Sequence, residues 1–328
     1  MPQPTNNQVH ANVPLTNMSI AYIQQSRDFI ADKVFPIVPV DKQSDLYYVY
    51  TKNDWFRDEA KLRAPGAESA GGGYNLSTAT FSCRTWAFHK DVPWDLRNNA
   101  DPVLNLDRDA TEFVSQRLMI RRERLFQNGF FRAGIWGLDY TGVAANPAVN
   151  QFIQWSDYAN SDPINDIKNG RMYIKSITGF KPNTLVLGEE VFETLKQHPD
   201  IIDRYKYTQS GVITADLLAK VFEVDRIVIG GAIYATNAEG AAVEAYSFIY
   251  GKAALLCYAA PAPSILAPSA GYTFAWKNLA MNAQNGFGIA IAKFDMRQLK
   301  SDRVEGELAI DPRLIGADLG VYFATAIV

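Results

Sequence analysis

Residues 179–207, GFKPNTLVLGEEVFETLKQHPDIIDRYKY, decide the fold of this 328-residue chain. Gly179 and Pro182-Asn183 predict a turn, and Thr184–Leu187 is a short apolar run suited to a buried strand. Gly188 breaks that run. Glu189-Glu190 then open a helix, where acidic side chains suit the partial positive charge of the first turn. Val191, Phe192 and Leu195 share one face of it by i, i+3, i+4 spacing. His198-Pro199-Asp200 ends the helix, and a second short amphipathic turn carries Ile201, Ile202 and Tyr205. The unit is strand, helix and turn, with no reactive group presented at its edge.

Three further stretches extend the pattern outward: Pro268–Trp276 (PSAGYTFAW), Lys300–Tyr322 (KSDRVEGELAIDPRLIGADLGVY), and Ala31–Arg57 (ADKVFPIVPVDKQSDLYYVYTKNDWFR) continuing to APGAESAGGGY at 64–74. Together with residues 179–207 they resemble tailed-phage major capsid proteins, in the expected order and over nearly the whole chain. The resemblance implies an α+β chain with the Hong Kong 97-type capsid fold, shared by tailed phages, herpesvirus shells and encapsulins. It further implies an amino-terminal arm at 1–45, an extended hairpin loop at 46–92, and a peripheral domain with a long spine helix at 93–160. An axial domain at 161–270 and a return to the peripheral domain at 271–328 complete the expected division.

Composition fits a chain that hides surface in an assembly. Apolar residues make up 48%, enough for a substantial core, whereas charged residues are only 20%, below the usual quarter. The net charge of −3 predicts no strong global attraction to nucleic acid. Two widely separated cysteines, Cys83 and Cys257, make no disulfide framework, so reduced thiols are expected. The first residues lack the basic and apolar regions of a secretory signal, and no uninterrupted apolar run reaches the ~20 residues of a spanning helix. No membrane contact is expected, and assembly is expected in the host cytoplasm.

Residues 1–26 contain no Asp, Glu, Lys or Arg and are rich in Asn, Gln and Pro, so they cannot build a core of their own. They read either as a disordered tail or, by the resemblance, as an arm along a neighbouring subunit. Residues 19–34 suggest a short helix with Ile20, Ile23, Phe29 and Ile30 as apolar positions. Leu46–Thr51 and Thr80–Phe88 predict the strands of a long hairpin whose tip holds Ala64-Pro65-Gly66 and Ala70–Gly73. A hairpin of that reach needs something to lie against. Residues 101–128 predict one long helix, starting at Asp101-Pro102 or Asn105, with Leu106, Ala110, Phe113, Val114, Leu118 and Leu125 as its stripe and Gly129 as its terminator. Residues 130–160 read as loop, 163–178 as a helix opened by Asp162-Pro163, and 213–260 as a helix (Thr214–Phe222) alternating with short strands at Arg226–Ile229, Ala232–Tyr234 and Phe248–Tyr258. Ile289–Phe294 and 303–327 read as returning strands.

Residues able to carry chemistry are few. His10, His89 and His198 are the only histidines, and no H-x-x-x-H, C-x-x-C or G-x-S-x-G spacing occurs. No catalytic, metal or cofactor residues are therefore assigned. Ala70–Gly73 lacks the P-loop pattern and reads as a flexible tip. Arg117, Arg121, Arg122 and Arg124 crowd the later half of the long helix; they could touch nucleic acid through phosphates or form a solvated, salt-bridged face with the helix acids. Trp55, Phe56, Arg57 and Asp58 combine aromatic and charged groups on a hairpin without its own core, so contact with a neighbouring subunit is preferred over a merely local patch. Lys52, Lys61 and several asparagines match no cross-linking pattern, and noncovalent assembly is expected.

The implied function is a major capsid protein whose hexamers and pentamers close into an icosahedral virion shell around double-stranded DNA, held non-specifically on the inner surface. A portal would be a further partner. The capsid-like words begin by about residue 15. If Met1 is the start, what precedes them is too short and uncharged for a fused coiled-coil scaffold. A separate scaffolding protein, or none, is expected. The alternative with the same fold is an encapsulin-like compartment; a soluble hydrolase is disfavoured by the scarcity of histidine and nucleophile motifs.

Overall fold

The computed structural model describes residues 24–101, 104–205, 214–241, 243–263, 268–279 and 289–328. In chain order its strands are β1 (Ile37–Val40), β2 (Ser44–Tyr50), β3 (Leu76–Ser82), β4 (Arg84–Pro93), β5 (Leu138–Val143), β6 (Gln151–Ile153), β7 (Thr184–Gly188), β8 (Arg226–Gly230), β9 (Ile233–Ala235), β10 (Tyr246–Phe248), β11 (Ala254–Cys257), β12 (Gly271–Trp276), β13 (Ala290–Met296), β14 (Ser301–Leu314) and β15 (Gly320–Ala324). The helices are α1 (Lys52–Trp55), α2 (Trp94–Asn99), α3 (Leu106–Phe130), α4 (Pro163–Thr178), α5 (Glu189–Lys196), α6 (Pro199–Tyr205) and α7 (Ala215–Phe222).

A six-stranded sheet in the order β6-β5-β15-β11-β7-β8 has β7 in its interior, and all five β7 residues are buried. A strand covered on both faces reads as a continuous apolar run, as Thr184–Leu187 does. The pleat sends Leu185 and Leu187 to one side and Val186 to the other. Leu185 and Leu187 meet Ile167 and Ile174 of α4, Val191 and Leu195 of α5, and Leu218 and Phe222 of α7. Val186 meets Phe29, Ile30, Val34 and Phe35, with Phe126 and Phe130 of α3. Truncating a ring such as Phe126 to alanine in that layer costs about 3–5 kcal/mol. α4 stands between the caps expected for it: the Asp162 side chain accepts from Asn165 N, and Gly179 takes the left-handed conformation at φ 76°.

The second sheet has five strands, ordered β1-β12-β14-β13 with β4 also paired to β14. α3 lies across it, packing Ala110, Val114 and Leu118 on Val304, Leu308 and Ile310. Close approach is permitted by Gly306, where a Cβ would come within 2.6 Å of both Leu118 and Val114 side chains. The carboxy-terminal segment serves both sheets, with β14 in the second and β15 between β5 and β11 in the first. β2 and β3 pair as a separate antiparallel hairpin, Ser44 opposite Ser82 through Tyr50 opposite Leu76.

Several local expectations are corrected. Thr80–Phe88 is two strands: buried Cys83, whose N–H donates to Gln43 O, separates hairpin strand β3 from sheet strand β4. Residues 24–34 hold a 3-10 turn at Ser26–Asp28 rather than an α-helix, and Phe29 and Ile30 are core residues; Ile20 and Ile23 lie outside the described residues. Residues 130–160 contain β5 and β6, docked by Gly142 against the backbone near Thr325, where a Cβ would lie 2.1 Å from the Thr325 carbonyl. Gly129 does not stop α3, which runs to Phe130. Phe248–Tyr258 divides into β10 and β11 around Gly251 at φ 56°.

Candidate functional site

The hairpin concentrates seven of the eighteen exposed large apolar side chains of the described residues. Leu46, Tyr48, Trp55, Phe56, Leu62, Tyr74 and Leu76 are all exposed, Trp55 at 55% and Phe56 at 62%. Trp55 ends the single-turn helix α1, and its ring sits 5.5 Å from Tyr74 and 6.1 Å from Tyr50. Asp54 pins the two limbs by accepting from Asn75 N at 2.8 Å and Asn75 Nδ2 at 3.2 Å. Arg57 lies 3.5 Å from both Asp54 and Glu59, and its side chain is 59% exposed. Phe56 and Asp58 are exposed beside it. The structure therefore brings Trp55–Asp58 together as one surface patch whose local partners are hairpin residues. At its base the hairpin is anchored, with Phe81 stacked on Phe274 of β12 at 4.4 Å and Tyr47 5.5 Å from the same ring; beyond the far end of β2, Lys52 of α1 pairs with Asp318.

Chemistry elsewhere is structural. His198 is fully buried; its Nδ1 accepts from Asp200 N at 3.3 Å, so Nε2–H donates to Ser161 Oγ at 3.0 Å, and the Ser161 hydroxyl donates to Asp157 O. Burial lowers the His198 pKa. With both imidazole nitrogens and the serine hydroxyl committed in these directions, the imidazole does not accept the serine proton, and the pair ties the α5–α6 turn to the segment before α4. His10 lies outside the described residues, and His89 sits on β4. Burial pushes the thiols of Cys83 and Cys257 up to about 11 and about 12, and both are free. Among the described residues no group of three or more His, Cys, Asp or Glu is placed to hold a metal ion, and no helix is long and apolar enough to cross a membrane.

Two buried acids were not singled out from the sequence. Glu123 on α3 accepts from Ala31 N at 2.8 Å and from the Tyr250 hydroxyl, tying the helix to both the 29–35 segment and the turn between β10 and β11; burial raises its pKa. Its spacing from Phe126 and Phe130, i, i+3, i+7, places it on the apolar face, the one signal that could have found it. Asp166 on α4 accepts from Trp155 Nε1 at 3.0 Å, and burial raises its pKa to about 6. Of the arginines of α3, exposed Arg117 lies over the ring of Phe113, half-buried Arg121 and Arg124 lie over Trp86 and Tyr234, and buried Arg122 is 3.5 Å from Asp32.

A six-stranded and a five-stranded sheet, a long helix crossing the second, and an uncovered hairpin projecting from it have matches among known proteins. A family model described as phage major capsid protein E matches residues 142–254. The major capsid protein of Burkholderia phage BcepMu is 26% identical over 317 residues, covering 93% of each chain. The chain is similar to phage major capsid proteins. A crystal structure of a phage-related protein from Bordetella bronchiseptica, 24% identical, superposes with a TM-score of 0.67 over 92% of this chain and 93% of that one. The capsid structure of cyanophage P-SCSP1u superposes at 0.58 with 9% identity, over 94% and 90%. The fold is thus the Hong Kong 97-type capsid fold, α+β in content.

Proposed function

We propose that this phage capsid relative builds the icosahedral shell of the virion, in the hexamers and pentamers typical of the fold, around double-stranded DNA. The observation that carries the reading is the hairpin. Its exposed rings have no core behind them, and a patch of this kind on a soluble chain marks a surface that is covered in an assembly. Trp55, Phe56, Arg57 and Asp58 are the contact to a neighbouring subunit, the aromatic and arginine types that dominate interface energetics. Each repeated contact need only be modest, because closure multiplies it around the shell. Assembly in the host cytoplasm, a portal and a separate scaffolding protein belong to the same reading. An encapsulin-like compartment is not favoured, since the sequence relatives are phage capsid proteins.

Electron microscopy and sizing of the purified protein across salt and pH test the proposal. Capsomers, shells, tubes or sheets are expected under some condition. A strictly monomeric species at high concentration throughout would refute it.

A further inference from the structure

Several cations on the body of the protein have a carboxylate partner, among them Arg97 with Asp107 and Asp302, Arg303 with Asp91, Arg171 with Glu223, and Arg313 with Asp311. Along the seam between α3 and β4 the pattern stops. Lys90, Arg117, Arg121 and Arg124 have no carboxylate within ion-pair distance among the described residues. They rest on rings instead. Lys90 Nζ and the Arg117 guanidinium lie 5.3 and 5.2 Å from the Phe113 centroid, Arg121 lies 3.7 Å from Trp86, and Arg124 lies 4.1 Å from Tyr234. A guanidinium held over a ring keeps its charge and loses less rotamer freedom when it meets an oxyanion.

The placement is directional. At 3.6 residues per turn, positions 117, 121 and 124 fall within about 60° of arc, and 117 to 124 spans about 10 Å along the axis. On the sheet beneath, Lys90, Phe88 and Trp86 stand opposite Val304, Gly306 and Leu308 on the face that receives α3, while the other face carries the Asp91–Arg303 pair with Glu305 and Glu307. A chain of net charge −3 thus presents one local stripe of unpaired, pre-oriented cations.

We propose that the α3–β4 seam is the surface that lies along packaged duplex DNA, gripping phosphates without reading bases. The inference rests on the shell-forming reading and assigns residues to that partner. A second copy's hairpin is the weaker occupant: Lys52, Arg57, Lys61 and Arg63 nearly balance Asp45, Asp54, Asp58, Glu59 and Glu68 there, so it brings a single net negative charge against the two per base pair of duplex DNA.

The test uses full-length subunits and a mixed-sequence 30-base-pair duplex, with affinity followed by fluorescence anisotropy as salt is varied. Four phosphate contacts predict a slope of log K on log salt of about −3.6, a loss of about a hundredfold in affinity between 50 and 200 mM salt. Arg117→Gln/Arg124→Gln should reduce the slope to about −1.8, and Arg117→Lys/Arg124→Lys should restore most of it with the fold unchanged by circular dichroism. Arg108→Gln, which removes an exposed cation already paired with Glu112, should change little. Absence of duplex binding by the parent, or the same slope in the glutamine variant, overturns the proposal. So does a glutamine variant that fails to assemble while its slope is unchanged, because the seam would then serve a second copy. Electron micrographs of the parent report separately on shell formation, so failure of the shell reading and failure of the DNA assignment are distinguishable.

Discussion

Asp166 offers a quantitative test of how this fold carries charge. Its carboxylate sits on the first turns of α4 and accepts from the Nε1–H of Trp155, a fully buried ring 5.3 Å from Phe152 and 5.5 Å from Phe323. Burial is the main cause that lifts its pKa from 3.8 to about 6; nearby Asp162 adds to the rise and the indole N–H opposes it. The folded state therefore binds this proton more tightly than the unfolded chain. Above about pH 6 the charged form costs stability, and the cost is recovered as pH falls toward 3.8. At 1.36 kcal/mol per pH unit the ceiling is about 3 kcal/mol. Asp166→Asn keeps an oxygen to accept from Trp155 and removes the charge. It also forfeits the favourable interaction of an acid with the helix N-terminus, about 0.3–1 kcal/mol, and some hydrogen-bond strength. The expected net gain is about 1–2 kcal/mol at pH 7.5, shrinking toward zero by pH 4.5. Urea unfolding of dissociated subunits, followed by tryptophan emission at several pH values, measures it. Taking the difference between variant and parent cancels the titration of groups common to both. A difference that stays constant between pH 4.5 and 7.5, or a variant less stable throughout, would refute the reasoning.

Other outcomes follow from the hairpin and from the buried acid of α3. Hydrogen exchange at residues 60–75 should slow on assembly, because the tip has no partner within the subunit body; equal protection in free and assembled protein would contradict an intersubunit role. Trp55→Ala and Arg57→Ala should each cost about 1–3 kcal/mol per interface and leave the circular dichroism spectrum of the subunit intact, whereas loss of the fold would make them core residues. Tyr250→Phe removes the hydroxyl that donates to Glu123 and should destabilise the subunit by about 1–3 kcal/mol. That hydrogen bond lowers a Glu123 pKa already raised by burial, so the penalty should be larger at pH 8 than at pH 5; denaturant melts at the two values decide.

What could be read ahead of the structure follows from how local each determinant is. α4 was legible to the residue because both of its ends are written in the chain, Asp162-Pro163 before it and Gly179 after it. β7 was legible because a strand buried on both faces needs apolar residues at every position. β5 and β6 were not, because LDYTGV and QFI are ordinary loop-like sequences that become strands only when β15, some 180 residues later, supplies a partner. The same limit explains the arginines of α3. Four basic residues in eight positions suggest either a solvated face or a ligand surface, and local sequence cannot choose. The choice is made by Trp86 on β4 and Tyr234 on β9, rings brought from far along the chain.

The hairpin is the opposite case, and it shows why function was easier to read here than detail. A core residue must be matched by residues elsewhere in the chain, so its role is hidden until the fold is known. An interface residue in a shell is matched by another copy, so within one chain it appears as an excess: rings and an arginine on a segment with too little around it to bury them. Phe81 and Tyr47 at the hairpin base find Phe274, but Trp55 finds only Tyr50 and Tyr74 and stays more than half exposed. That contrast between the two ends of one hairpin fits the proposal that its base folds with the subunit and its far end is left for a neighbour. It also predicts where substitutions will divide: Phe81→Ala should weaken the subunit itself, and Trp55→Ala only the shell. Melting temperatures of free subunits set against yields of assembled particles would show the division, and a Phe81→Ala subunit as stable as the parent would show that the boundary has been drawn in the wrong place.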